Sequence, residues 1–196
     1  MALEDKEKWD KKHIQTPIPT EPIELVTKFA RLAPGKQALD IACGMGRHAK
    51  YLARHGLHVD ALDISSTAID SLHGLENITA KAVDFDTYEL PKNKYDLIVC
   101  TYYLERRLFP QIIDALKEGG IFIYETFLYH PDNEREPSKK RFMLNEGELE
   151  ATFDDKLDLM HIREEWVVTP KGEKMMIGSL VGKKKIGGMN IEDFWS

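Results

Sequence analysis

The stretch Leu39 to Gly56, LDIACGMGRHAKYLARHG, narrows the fold more than any other part of this 196-residue chain. An apolar run carrying Asp40 breaks on two glycines and resumes at helical spacing, which predicts a strand, a tight turn and a helix. Glycine lets backbone N–H groups at the helix N-terminus come close to a ligand, so the turn suits something nucleotide-like.

The alternation continues in both directions. Apolar positions at Ile23, Val26, Phe29 and Ala30 predict a helix over Pro22 to Leu32, with Thr20 as its cap. Strands are then expected at Gln37 to Ala42, Leu57 to Asp63, Ile78 to Val83, Tyr95 to Cys100 and Ile121 to Thr126. Helices are expected at Arg47 to His55, at Ser65 to Leu72 and from Pro110 to Lys117, where Gly119-Gly120 stops the last. Strands separated by helices imply right-handed crossovers and a parallel sheet covered on both faces. The last third changes character. A polar loop over His130 to Lys140 and a short helix near Asn145 to Phe153 precede two strand-like runs, Leu157 to Val168 and Met175 to Gly182, joined by the turn residues Thr169 to Glu173. These predict an antiparallel hairpin closing one edge of the sheet.

An apolar share of 42% fills a core of ordinary density, and the length suits one domain, 1–196, with a core over 22–185, an N-terminal lid or tail over 1–21 and a C-terminal tail over 186–196. The formal charge of -6 argues against a general nucleic-acid binder, because such binding neutralises phosphates with Lys and Arg. Two cysteines make no disulfide framework, and no run approaches the roughly 18 apolar residues of a membrane span. A cytoplasmic protein, monomeric or homodimeric, is the expectation. Histidines lack the spacing of a zinc site, so no metal is implied.

Gly44-x-Gly46-x-x-Ala49 formally matches a dinucleotide loop, and Asp63 follows Gly44 by 19 residues, where a carboxylate accepts from ribose hydroxyls. Two ligands fit this pattern, a nicotinamide or flavin dinucleotide and S-adenosylmethionine. Asp40, four residues before the first glycine, would repel a pyrophosphate and attract the ammonium of a methionyl group. The alternative is that it only fixes the turn through backbone N–H groups. Val83-Asp84-Phe85 offers a carboxylate and a backbone N–H to the edge of an adenine.

Together, LDIACGMGRHAKYLARHG, ALDIS, VDFD, YDLIVCTYYL and LKEGGIFIYETF resemble the motifs of class I S-adenosylmethionine-dependent methyltransferases over roughly residues 22 to 185. GRHAKYLARHG with ERRLFPQIIDALKEGGIFIYETF is similar to the branch containing tellurite-resistance and thiol methyltransferases. The resemblance implies a three-layer Rossmann-like fold whose seven-stranded sheet is mostly parallel. It implies S-adenosylmethionine as donor, S-adenosylhomocysteine as product, and a small-molecule acceptor such as a thiol, a carboxylate or a chalcogen oxyanion. By position it assigns Asp40, Cys43, Gly44 and Gly46 to the methionyl side, Asp63 to the ribose, and Ile64, Asp84 and Phe85 to the adenine. Cys100 and Thr101 line the sulfonium side. A nicotinamide-dependent oxidoreductase and a non-catalytic S-adenosylmethionine-binding module are the rival functions.

Methyl transfer from a sulfonium needs an in-line nucleophile, a path for any proton and exclusion of water. Candidates to face the acceptor are Arg47, Tyr102, Tyr103 and His130, with Arg106, Arg107 and Glu125 nearby. Tyr102 and Tyr103 leave their strand in opposite directions, so one of them sees the site and the other packs. Clustering of Arg47, Arg106 and Arg107 would suit an anionic acceptor; the two later arginines pairing with Glu105 and Asp114 would not. His48 reads as an exposed helix residue, and Trp9 is the apolar reason to expect that the N-terminal segment folds onto the domain.

Overall fold

The structure, a computed structural model, describes residues 2–15, 19–135 and 140–187. Its elements in chain order are helix α1 (Ala2–Gln15), helix α2 (Glu24–Phe29), strand β1 (Gln37–Ile41), helix α3 (Arg47–Arg54), strand β2 (His58–Asp63), helix α4 (Ser66–Asp70) and strands β3 (Ile78–Ala82) and β4 (Tyr95–Thr101). Helix α5 (Leu108–Ala115), strand β5 (Leu116–Phe127), helix α6 (Glu148–Phe153) and strands β6 (Leu157–Val168) and β7 (Lys174–Lys184) complete it.

The seven strands form one sheet in the order β3-β2-β1-β4-β5-β7-β6. Strands β3, β2, β1, β4 and β5 pair in parallel, and β7 pairs antiparallel with both β5 and β6. Every residue of β4 from Tyr95 to Cys100 is buried, the signature of a parallel strand covered on both faces. Alternate residues serve the two faces. Ile98, Cys100, Phe122 and Tyr124 pack beneath α5 and α6 with Phe109, Ile112 and Phe153. Leu97, Val99, Ile121 and Ile123 pack beneath α2, α3 and α4 with Val26, Leu52 and Ile69. The expected three-layer, mostly parallel architecture with its terminal hairpin is thus the one observed.

Three local expectations are corrected. Helix α2 begins at Glu24, with Ile23 rather than Thr20 at its N-cap and no side-chain cap bond. The Ile23 N–H is taken by His48 Nε2 at 3.3 Å, which anchors the entry to α2 without a hydroxyl cap. Helix α5 ends at Ala115, not Lys117, because Leu116 turns extended and pairs with Tyr95 of β4. The Lys184 ammonium accompanies that turn, donating to the carbonyls of Ile113 and Leu116 at 2.7 Å each. Residues 2–15, expected as a lid or tail without assigned structure, form α1. Residues 16–18, residues 136–139 of the expected polar loop and residues 188–196 of the expected C-terminal tail lie outside the described residues.

The strand order reverses between β1 and β4, and open parallel sheets bind ligands at the carboxyl ends of the strands flanking such a reversal. Here those ends are the glycine turn after Ile41 and the residues Thr101-Tyr102.

Candidate functional site

The glycine turn is built from three left-handed residues, Ala42, Gly44 and Gly46, with φ of 54°, 52° and 76°. The Cys43 N–H continues the ladder onto Leu62 O at 2.9 Å, Gly46 N–H returns to Cys43 O at 2.9 Å, and Lys50 N–H then starts α3 on Gly46 O at 2.8 Å. A Cβ at Gly46 would stand 2.6 Å from the fully buried Leu72 side chain, so glycine is required there by space as well as by φ. A Cβ at Gly44 would meet no backbone.

Two carboxylates hold the turn. Asp63, at the end of β2, accepts from Gly44 N–H and from Ser65 N–H at 2.8 Å each. Asp40 lies fully buried behind the turn, where Oδ2 accepts from Ala49 N–H at 3.0 Å. Burial pushes the Asp40 carboxyl up to about 7, and Asp63 pushes the same way against the Ala49 bond and the Arg47 charge. Through this one oxygen Asp40 caps the first turn of α3. Cys43 is buried, its thiol donating to Gly44 O at 3.4 Å, and burial holds that thiol well above its ordinary range.

The adenine-side candidates stand along the neighbouring loops. Ile64 is half-buried beyond Asp63. Asp84 bonds the Asp86 N–H at 2.9 Å, and the buried Phe85 ring stacks on Tyr103 with centroids 5.5 Å apart. Tyr103 faces inward, and its carbonyl accepts from the Tyr124 hydroxyl and the Cys100 thiol. Burial raises the Cys100 thiol, so it is no nucleophile at neutral pH.

On the other side of the turn, three residues meet. Tyr102 has a left-handed φ of 54°, held there by its N–H to Glu125 O at 2.7 Å. Such strain in an aromatic residue persists where the surroundings over-determine it, and functional sites are where it gathers. Its hydroxyl donates to Glu125 Oε1 at 2.8 Å, and the Arg47 guanidinium lies 5.8 Å from its ring centroid. Burial raises the Glu125 carboxyl despite that Tyr102 bond and Arg47. Thr101 pairs with Glu125 across β4 and β5, beside the same group.

Other candidates are placed elsewhere. Arg106 makes a bidentate pair with Glu148, its Nη2 to Oε2 at 2.8 Å, and also donates to the carbonyls of Arg141 and Met143. Arg107 pairs with Glu105 and Asp86. The three-arginine cluster is therefore not assembled: Glu148 at the start of α6 takes Arg106, Glu105 and Asp86 take Arg107, and Asp114, one of the expected partners, pairs with Lys92 instead. His130 accepts from Asp132 N–H at 3.2 Å through Nδ1 and stacks edge-on against Trp166 of β6. His48 is buried, not exposed, because α3 turns that face onto the entry to α2. Burial first, and Arg47 second, press its pKa down to about 3.

The sequence reading missed α1. Asp10 Oδ1 accepts from the Ser65 hydroxyl at 2.5 Å and from Thr67 N–H at 3.1 Å, while His13 lies 3.1 Å from Ser65 Oγ. Helix α1 is thereby fastened to the start of α4 beside the glycine turn. The available signal was charge order: Glu4 opens the segment and Lys11, Lys12 and His13 close it, as the helix dipole favours. Among the described residues no group of three or more His, Cys, Asp or Glu is placed to hold a metal ion, and no helix is long and apolar enough to cross a membrane.

Comparison with known proteins bears on this geometry. Residues 13–164 match the family described as "Methyltransferase domain". The chain belongs to that family. This methyltransferase-domain chain is 34% identical over 133 residues to a ubiquinone biosynthesis O-methyltransferase of Xylella fastidiosa, covering 60% of the chain and 53% of that protein. It is 30% identical over 112 residues to phosphoethanolamine N-methyltransferase 2 of Caenorhabditis elegans, covering 51% of the chain and 26% of the relative. The match thus spans about a quarter to a half of these relatives. Among solved structures, TehB from Haemophilus influenzae superposes with a TM-score of 0.72 at 22% identity, over 92% of this chain and 67% of that one. Phosphoethanolamine N-methyltransferase 2 of Haemonchus contortus, solved with phosphomonomethylethanolamine and S-adenosylhomocysteine, gives 0.62 at 16%, over 83% and 52%. At these identities the likeness establishes the class I fold.

Proposed function

We propose that this chain transfers a methyl group from S-adenosylmethionine to a small-molecule acceptor. The observation that carries the reading is Asp63, whose carboxylate at the end of β2 grips Gly44 N–H and so joins the acidic acceptor and the glycine turn in one site. Each Asp63 oxygen spends one lone pair on backbone and keeps another for a ribose hydroxyl. The Phe85 N–H has no acceptor among the described residues, which suits a ring nitrogen of adenine. A dinucleotide fits less well. Its pyrophosphate needs the N–H groups at the start of α3, and Asp40 already occupies the one on Ala49.

When bound, S-adenosylmethionine supplies an electrophilic methyl on a sulfonium. The chain's own contribution is to bind, to orient and to move a proton. Asp63 and the turn seat the nucleoside and methionyl ends, and Thr101 and Tyr102, next to the turn at the end of β4, set the side from which an acceptor approaches. The Tyr102 hydroxyl donates its one hydrogen bond to Glu125 and keeps its lone pairs for an acceptor O–H, N–H or S–H. Arg47 offers one positive charge beside them. A thiol, a carboxylate and a chalcogen oxyanion all remain acceptor classes for this group, with the anionic ones served by Arg47 and not by an arginine cluster.

The test is titration calorimetry with S-adenosylhomocysteine. Asp63→Ala is expected to weaken binding at least tenfold, since it removes a charged hydrogen-bond acceptor, while Arg106→Ala lowers the melting temperature and leaves affinity within about twofold. Equal affinities for wild type and Asp63→Ala would sink the assignment, as would stabilisation by nicotinamide nucleotides in place of S-adenosylhomocysteine. Transfer of label from methyl-labelled S-adenosylmethionine to a metabolite extract separates an enzyme from a binding module.

A further inference from the structure

The proton arithmetic at Ser65 determines which nitrogen of His13 is bare. The Ser65 hydroxyl has one proton, and it goes to Asp10 Oδ1 at 2.5 Å. Asp10 can only accept there, because the Ser65 bond itself holds its carboxyl below the usual range and keeps it ionised. Ser65 Oγ meanwhile accepts from Ala68 N–H at 3.2 Å, leaving one lone pair. His13 Nδ1, 3.1 Å away, has to be the donor to that lone pair. A neutral imidazole protonated on Nδ1 carries an unprotonated Nε2. Burial lowers the His13 pKa, with Lys12 acting the same way and Asp63 and Asp10 against it, so the ring is neutral at neutral pH. Nε2 stands 3.5 Å from where a Cβ on Gly44 would be, over the part of the turn that no backbone covers.

We propose that His13 is a donor-binding residue, its Nε2 lone pair accepting a hydrogen bond from an O–H or N–H group of S-adenosylmethionine seated on the glycine turn. The site is then shared between the sheet and α1, and the Asp10–Ser65–His13 chain is what orients the imidazole. A cation at this position would face the sulfonium and be repelled; a neutral acceptor is not. This inference rests on the S-adenosylmethionine reading above.

The experiment compares wild type, His13→Ala and His13→Gln by calorimetry with S-adenosylhomocysteine at pH 7.5. His13→Ala is expected to bind about tenfold more weakly, the loss of one hydrogen bond to a charged or strongly polar group. His13→Gln, whose carbonyl is again an acceptor, recovers most of that affinity. Repeating the series with 5′-methylthioadenosine, which lacks the amino-acid portion, identifies the partner: a persisting penalty assigns a ribose hydroxyl, and its disappearance assigns the ammonium. Amide exchange on the wild type is expected to slow at Asp10 to Ile14 when S-adenosylhomocysteine binds. If wild type binds and His13→Ala binds within twofold of it, with no added protection in α1, the inference is overturned. If wild type binds neither S-adenosylmethionine nor its product, the fault lies in the donor assignment itself.

Discussion

Replacing Gly46 by alanine is expected to destabilise the protein by about 3 kcal/mol, from a left-handed residue acquiring a Cβ and from overpacking against a core side chain. The φ of 76° belongs to the conformation that links the turn to α3, and Gly46 O receives the first helical bond from Lys50. The added Cβ would lie 2.6 Å and 3.0 Å from the two methyls of the fully buried Leu72, which must shift within the core to admit it. Urea unfolding at unchanged m-value reads the loss. The two causes separate in a double-mutant cycle with Leu72→Ala, which makes room but does not change φ. A favourable coupling of at least about 1 kcal/mol is expected, with the conformational part left over. Stability of Gly46→Ala within about 0.5 kcal/mol of wild type would show that the turn does not need this glycine.

The second large effect is a pH dependence centred on Asp40. Its carboxyl is raised from an ordinary value of 3.8 to about 7 in the folded chain, mainly by burial. A carboxyl raised on folding contributes stability fully below its unfolded value, and that contribution is lost as pH rises through the folded one. Wild type is therefore expected to lose stability between about pH 4 and pH 7 relative to Asp40→Asn, by an amount on the order of 4 kcal/mol at the upper end. Asparagine keeps an acceptor for the Ala49 N–H and has no proton to lose, so its profile is flatter over that window. Chemical denaturation at intervals from pH 4 to 8 measures the difference. Parallel profiles for the two proteins would mean that Asp40 stays ionised throughout. A second consequence concerns the ligand: an ammonium drawn to Asp40 favours its ionised form, so donor binding near pH 7 is expected to release a proton that Asp40→Asn does not. Calorimetry in two buffers of different ionisation enthalpy detects it.

Local pattern and remote contact divide this molecule cleanly. The strands of the sheet are legible because a parallel strand buried on both faces is a short unbroken apolar run, as in Tyr95 to Cys100, and the turn is legible because its backbone angles demand glycine at Gly44 and Gly46. Asp63 is legible through its distance from the turn in sequence, since each βα unit has a narrow range of lengths. Helix ends were less so. Leu116 leaves α5 because Tyr95 is beside it, and the entry to α2 is held at Ile23 because His48 reaches it from α3.

Side-chain partners lay beyond the reach of pattern. Arg106 and Glu148 are 42 residues apart, and His13 and Ser65 are 52 apart. Nothing in the spacing of Arg47, Arg106 and Arg107 says that two of them are paired with carboxylates at Glu148, Glu105 and Asp86. Nor does the spacing of Asp40 from the glycines show whether its carboxyl faces a ligand or the N–H of Ala49.

The amino-acid order alone establishes the alternation of strands and helices and the residues that must be glycine, because these follow from steric limits and apolar periodicity within a few residues of each position, whereas the switch point between β1 and β4 is a matter of strand order. Folding in three dimensions decides which charged groups are already spoken for, which tyrosine faces outward, that His48 is dry, and that α1 is fastened to Ser65 and Thr67 beside the glycine turn. Those outcomes depend on which groups meet across the sheet's carboxyl edge, where burial and a neighbour's hydrogen bond set the charge and the direction of every side chain.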